Sequence, residues 1–222
     1  MRSPFFSAAA VLTLALAIGA NAAIFAVVQR VLLNPLPYPE SDRLVDVDHG
    51  SHRLNLPAGL GITRGYYYQY LERSRTLDGI ALYAGENATL TGNGEPERIR
   101  IARTTTTLAP VLRVWPAAGR WFSEDESKPG GPERVVLSHG LWMRRYGGDP
   151  AILGRAITLG GVSMDVIGVM PQTFAFPDAR IDAWTPLRIT RSMGFGIWLY
   201  NGVARLRDGA TVAPSRRRAT AL

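Results

Sequence analysis

Few side chains in this sequence stand where they could do chemistry. Ser138-His139 lies between an apolar run and a helical pattern, the setting of a serine nucleophile. That chemistry wants a G-x-S-x-G elbow or an adjacent base. Leu137 occupies the place of the first glycine, so Ser138 reads as the cap of a helix over about 140–146. His49 and His52 are three apart and flanked by Asp46 and Asp48, a superficially metal-like spacing. With no third histidine near in sequence, the pair reads as solvated loop residues. Glu124-Asp125-Glu126 could hold a cation, but an exposed acidic turn accounts for it. Tyr66, Tyr67, Tyr68 and Tyr70 could stack on a ligand, yet at helical spacing they read as core and rim. No residue is assigned a catalytic, cofactor-binding or metal role, and no cofactor is implied.

Composition removes further classes. A phosphate-binding P-loop needs a lysine between glycine and Ser/Thr. Lys128 is the sole lysine and precedes Pro129, so the chain is not an ATPase of that kind. There is no cysteine, hence no disulfide and no thiolate nucleophile or ligand. The formal charge is +7, with arginine supplying 24 of the 25 basic residues. Apart from Arg216-Arg217-Arg218 the arginines are scattered, whereas a nucleic-acid binder clusters them on one face among aromatics. No nucleic-acid partner is expected.

The elements follow from periodicity and turn chemistry. Residues 43–48 alternate as a half-buried strand, and 50–65 are loop-like. A helix over 66–76 would bury Tyr67, Tyr70, Leu71 and Leu77. Strands at 79–83 and 88–91 precede the turn Gly92-Asn93-Gly94. The return strand over 97–103 puts Ile99 and Ile101 on one face, which makes a hairpin. A short helix is expected within 104–112, a buried strand over 134–138, and a helix stop at Gly147-Gly148-Asp149-Pro150. A second hairpin joins 156–159 to 162–169 through Gly160-Gly161. Residues 171–186, with Phe174, Phe176 and Trp184, read as a proline-punctuated loop, and 202–207 as a last strand. The class is α+β.

The N-terminus is of another kind. From 5 to 28 no side chain is charged, a run of 24 residues. As a helix it would cover the roughly 30 Å hydrocarbon core of a bilayer. Ala20-Asn21-Ala22 also fits a signal-peptidase site, and cleavage there would release a secreted soluble binding domain. The apolar run continues to Val28, however, which favours an uncleaved anchor with membrane lipid as its partner. The expected organisation is an anchor over 1–30, a proline-rich exit linker over 31–42, a core domain over 43–212 and an irregular basic tail over 213–222. Arg2 favours an inside N-terminus, though Arg30 and Arg43 blunt the charge argument.

Several strings belong together: the segment over 10–25, Val31-Leu32-Leu33, Pro35-Leu36-Pro37-Tyr38-Pro39 and Asp42-Arg43-Leu44-Val45. Further along come Ala118-Gly119-Arg120-Trp121-Phe122, Val136-Leu137-Ser138-His139-Gly140-Leu141-Trp142, Gly147-Gly148-Asp149-Pro150 and Val166-Ile167-Gly168-Val169-Met170-Pro171. In this order and spacing they resemble the MacB/FtsX-like ABC transporter permeases, nearest the duplicated type common in acidobacteria. The resemblance implies one membrane helix followed by a MacB-like periplasmic core domain in the bacterial inner membrane. It also implies a separate ABC ATPase and permease copies as partners, and no chemistry in the domain itself. That family continues into three further membrane helices, whereas this sequence ends at Leu222. Pro214 and the arginine run suit a final amphipathic helix poorly, and Thr104 to Thr107 is a further departure. The expectation is therefore a truncated or frame-shifted product. The readings carried forward are a permease domain, a secreted binding domain, and a membrane-tethered hydrolase using Ser138 and His139.

Overall fold

The computed structural model describes residues 12–22, 25, 37–49, 59–92, 94–191, 196 and 199–211. The chain parts into two units between Leu36 and Pro37. In the first, 12–22 are helical and exposed throughout. Among the described residues no helix is long and apolar enough to cross a membrane. The expected span over 5–28 falls partly on residues outside the described set, as do His52, most of the 50–65 loop and the 213–222 tail.

The second unit is mixed α/β. Its helices are α1 (Arg64–Arg73), α2 (Leu108–Leu112) and α3 (His139–Tyr146). Its strands are β1 (Leu44–Val47), β2 (Leu77–Thr91), β3 (Glu97–Thr104), β4 (Ala118–Gly119), β5 (Arg134–Leu137), β6 (Ala156–Leu159), β7 (Val162–Val169), β8 (Ala183–Pro186) and β9 (Asn201–Leu206). They form one sheet in the order β1-β9-β2-β3-β8-β5-β7-β4. β6 pairs with both β7 and β2. That double pairing closes β2, β3, β8, β5, β7 and β6 into a ring, so the sheet is a small barrel with β9 and β1 extending from one side. One apolar cluster draws from all six ring strands, including Leu90, Ile101, Ala183, Leu137, Val166 and Leu159. α3 adds Leu141 and Tyr146 to it. A second cluster joins Tyr67 of α1 to Ile80 and Leu82 of β2 and Ala204 of β9.

Local chemistry explains where several elements begin and end. Thr63 Oγ1 accepts from Tyr66 N–H at 3.3 Å, so α1 starts at Arg64, two residues earlier than expected. It ends at Arg73, which puts Leu77 in β2 rather than on the helix, and Leu71 stays 43% exposed. The two strands expected over 79–83 and 88–91 are one. The poor strand formers between them, Ala84 to Asn87, are carried by pairing with Arg103 to Arg100, tertiary context overriding propensity. The threonine run is also accounted for: Thr104 Oγ1 donates to Leu82 O at 3.1 Å and Thr105 Oγ1 accepts from Leu82 N–H at 3.0 Å. The helix expected within 104–112 accordingly forms only from Leu108.

The expected loop over 171–186 contains a central strand. β8 lies between β3, to which it is parallel, and β5, to which it is antiparallel. All four of its residues are buried. A strand covered on both faces shows no alternation to read, and Pro186 comes last, where a missing N–H costs the ladder least. Both hairpins form as expected, with Leu159 opposite Val162 at the glycine turn and Ala88 opposite Ile99 in the first.

Candidate functional site

Ser138 sits between β5 and α3 and is committed to backbone. Its Oγ accepts from Leu141 N–H at 3.0 Å, and its own N–H donates to Asp182 O at 2.8 Å. The neighbouring His139 ring lies edge-on to Trp142, 5.7 Å between centroids, rather than on the serine. The two border an open cleft of about 460 Å³ with Arg144, Arg180 and Asp182. Its arginines are already matched: Arg144 bonds Glu97 at 2.8 Å and Asp182 at 3.0 Å, and Arg180 bonds Asp178 at 3.2 Å. What the geometry provides here is a capped helix and an ion-pair lattice that ties the β2–β3 hairpin to α3 through Glu97.

The histidine and tyrosine candidates come together. His49 Nδ1 donates to Gly61 O at 3.4 Å, which leaves Nε2 to accept from Tyr70 Oη–H at 3.3 Å. The ring stacks on Tyr66 with centroids 4.2 Å apart. Burial pushes the imidazole pKa down, partly offset by the Gly61 carbonyl and Asp48. Asp46 is pushed the other way, raised by burial and by Asp48. Among the described residues no group of three or more His, Asp or Glu side chains could hold a metal. Tyr67 is buried in the second cluster, and Tyr68 Oη donates to Ile189 O at 2.9 Å.

The acidic run corrects its sequence reading. Glu124 and Asp125 are exposed, but Glu126 is only 3% exposed. Arg120 grips it bidentately at 2.6 and 2.9 Å, Ser123 N–H donates at 2.9 Å, and Arg134 approaches at 3.3 Å. Burial alone would raise this carboxyl, but the Arg120 and Ser123 hydrogen bonds outweigh it and hold the pKa at about 2. Glu126 is thus half of a capping box and an ion-pair hub rather than part of a solvated turn. Lys128 pairs with Asp125 at 2.6 Å.

The most unusual group was not singled out from sequence. Arg205 in β9 is 1% exposed, and its guanidinium is spent on three main-chain carbonyls. Nε donates to Val111 O at 2.7 Å, Nη1 to Glu40 O at 3.0 Å and Nη2 to Pro39 O at 2.9 Å. A buried charge is tolerated only when its donors are satisfied. Here satisfaction fastens the segment entering the domain to β9 and to the end of α2. Glu40 itself takes a left-handed backbone, φ 48°, which non-glycine residues seldom adopt. Its carboxylate pairs with Arg43 at 2.5 Å and with Arg113. Desolvation opposes the charge, but the two arginines hold that carboxyl below its ordinary range. Arg43 closes the cluster, donating to Leu206 O at 2.6 and 2.9 Å and pairing with Asp208 at 2.6 Å. β1 runs antiparallel to β9 with Leu44 opposite Arg205, so the chain enters and leaves the domain at one end. The available sequence signal was Arg205 standing between Ala204 and Leu206 in a strand whose neighbours are apolar. It reads as a solvent-facing residue unless both faces are known to be covered.

With this fold and base in view, the chain belongs to the MacB-like periplasmic core domain family, whose sequence profile matches residues 7–222. Its fold is similar to that of the periplasmic region of MacB from Actinobacillus actinomycetemcomitans. That likeness has 13% identity and a TM-score of 0.59, and it covers 84% of this chain and 83% of that one. It is also similar to the extracellular domain of the noncanonic ABC-type transporter YknZ from Gram-positive bacteria. There the identity is 16%, the TM-score 0.56, and the coverage 75% of this chain and 84% of that one. At these identities the likeness is one of fold. No curated protein matches the sequence.

Proposed function

We propose that this chain works as the extracytoplasmic domain of an ABC transporter permease, held in the bacterial inner membrane by a single helix over 5–28. It relays motion and makes no covalent change in a substrate. A separate ABC ATPase and further permease copies supply the energy and the membrane path. The observation that carries this reading is the arginine-fastened base. A displacement of the segment leading into Pro37 is delivered to β9 and α2 through Arg205 and Arg43, and from β9 to β2, which runs on into the barrel. Hydrogen bonds from a charged donor contribute about 1.5–3 kcal/mol each, enough to keep the entry segment fastened while the domain moves. That the family profile starts at residue 7, within the apolar run, supports treating that run as part of the working permease rather than as a leader.

The chain has no cysteine, so a single Asp42→Cys reports on the base. In membranes from the native host, its alkylation rate is expected to differ between nucleotide-free and ATP-plus-vanadate conditions. Adding Arg205→Met should abolish that difference. An alkylation rate indifferent to nucleotide in the otherwise native chain would contradict the relay.

A further inference from the structure

Resting on the reading of 5–28 as a membrane anchor, we propose that the entry-and-exit end of the domain is a docking surface for anionic phospholipid headgroups, with Arg73, Arg75 and Arg207 as the binding side chains.

Three observations converge on this end. The first is proximity. α1 finishes at Arg73, Ser74 N–H closes on Tyr70 O, and Arg75 follows directly. Arg207 N–H donates to Thr76 O at 2.9 Å and its Nε to Leu77 O at 2.9 Å. Two chain segments far apart in sequence thus set three exposed guanidinium groups within a few residues of one another.

The second is charge left unmatched. Among the other described arginines on the surface, Arg103 pairs with Glu86, Arg155 with Asp149 and Arg191 with Glu72. Among the described residues, the exposed arginines without a carboxylate partner are Arg73, Arg75, Arg207 and, elsewhere in β3, Arg98. The acidic groups at the base are Glu40, Asp42, Asp78 and Asp208, and Glu72 beside Arg73 is bonded to Arg191. Glu40, Asp78 and Asp208 share Arg43 and Arg113, so with the buried Arg205 the arginines of the base outnumber its carboxylates by two, and the excess lies on Arg73, Arg75 and Arg207.

The third is the covalent path. Residues 29–36 are all that separate the apolar run from Pro37, a reach of about 30 Å even when extended. A guanidinium presents a planar fork that fits phosphate oxygens bidentately. With 5–28 as an anchor, the 29–36 tether keeps this end within reach of a bilayer, whose anionic lipid offers those oxygens at high density. Such attraction amounts to about fivefold in binding per arginine near the surface, and it decays over a Debye length of about 8 Å at physiological salt.

The test uses the full chain carrying Thr76→Cys, reconstituted in vesicles of phosphatidylcholine alone or of an equal mixture with phosphatidylglycerol. The rate of alkylation by a neutral reagent is the readout, with Val162→Cys at the β6–β7 turn as the distant control. Cys at 76 is expected to react about fivefold or more slowly in the mixed vesicles. High salt should restore the rate, and so should combined Arg73→Gln, Arg75→Gln and Arg207→Gln, while the control stays constant. Equal rates in both vesicles would overturn the proposal. Equal protection in phosphatidylcholine vesicles by added inorganic phosphate would assign the site to a soluble anion and overturn the lipid assignment. Flotation separates the two claims. A chain that floats with pure phosphatidylcholine vesicles but shows no lipid-dependent protection keeps its anchor and loses this surface. A chain that fails to float there loses the anchor reading. Salt-sensitive binding to the mixed vesicles that is lost in the triple variant would then still support the surface, and its absence would overturn it.

Discussion

The two ends of β2 are held by different means. Its C-terminal half lies in the barrel, where Leu90 belongs to an apolar cluster drawn from all six ring strands. Its N-terminal half also buries Ile80 and Leu82 in the second apolar cluster, but there it pairs with β9, whose Arg205 adds a directional hold on carbonyl groups of the entry segment. Apolar packing is non-directional and close-packed, so the barrel resists deformation as a body. A guanidinium fork is directional, and it fixes one particular segment of chain in one particular place. On the relay proposed above, the barrel is the rigid part that is moved and the base the joint through which movement arrives.

Predictions that would break or sharpen this contrast run from large to small. Leu137→Ala, at a fully buried barrel position, is expected to cost about 2–5 kcal/mol. Denaturant unfolding would show the loss as a lower midpoint, with the barrel and base transitions still coincident. Arg205→Met is expected to cost about 2–3 kcal/mol, because the carbonyls of Val111, Pro39 and Glu40 lose their donors. Its signature differs: hydrogen exchange should accelerate over 37–43 while the barrel strands keep their protection. Uniform acceleration throughout would erase the distinction between joint and body. Gly202→Val should cost about 1–3 kcal/mol, since a Cβ there would run into Ile62 Cδ1. A midpoint unchanged from the parent would show that Ile62 gives way more easily than the packing suggests.

Two pH effects come next. Glu126 is depressed from an ordinary 4.5 to about 2, so the unfolded state takes up its proton first. Its contribution is present above about pH 4.5 and is lost as pH falls toward 2. Glu126→Gln should flatten the dependence of the melting temperature in that window, and an undiminished slope would remove Glu126 as its source. His49 is depressed by burial, so its neutral form belongs to the fold. Stability from the Tyr66–His49–Tyr70 group should be present above the ordinary histidine pKa of 6.5 and decline as pH falls below it. A His49→Phe chain that melts with the same pH profile would contradict this.

How much of this was legible in the sequence follows the range of the interactions involved. Ser138 capping α3, the Gly147 stop and the Gly160-Gly161 hairpin are local, and each was read with nearly the right bounds. β8 was missed because a strand buried on both faces carries no alternation. Ring closure was missed because the β2–β6 pairing joins Leu90 to Leu159, and no local pattern records that. Glu126 and Arg205 failed for one reason. A charged side chain in a sequence reads as a solvated one, and only the fold shows that Arg120 in one case and three carbonyls in the other await it. The resemblance strings reached the MacB-like periplasmic core domain because they preserve order from residue 10 to residue 171, which single sites do not.

The most direct test of the account is protease accessibility in spheroplasts, with the mass of the membrane-retained fragment read afterwards. The account predicts that the folded body is digested from outside while a fragment containing 5–28 stays in the membrane. A soluble protein beginning at Ala23, or a body protected until the membrane is opened, would contradict it.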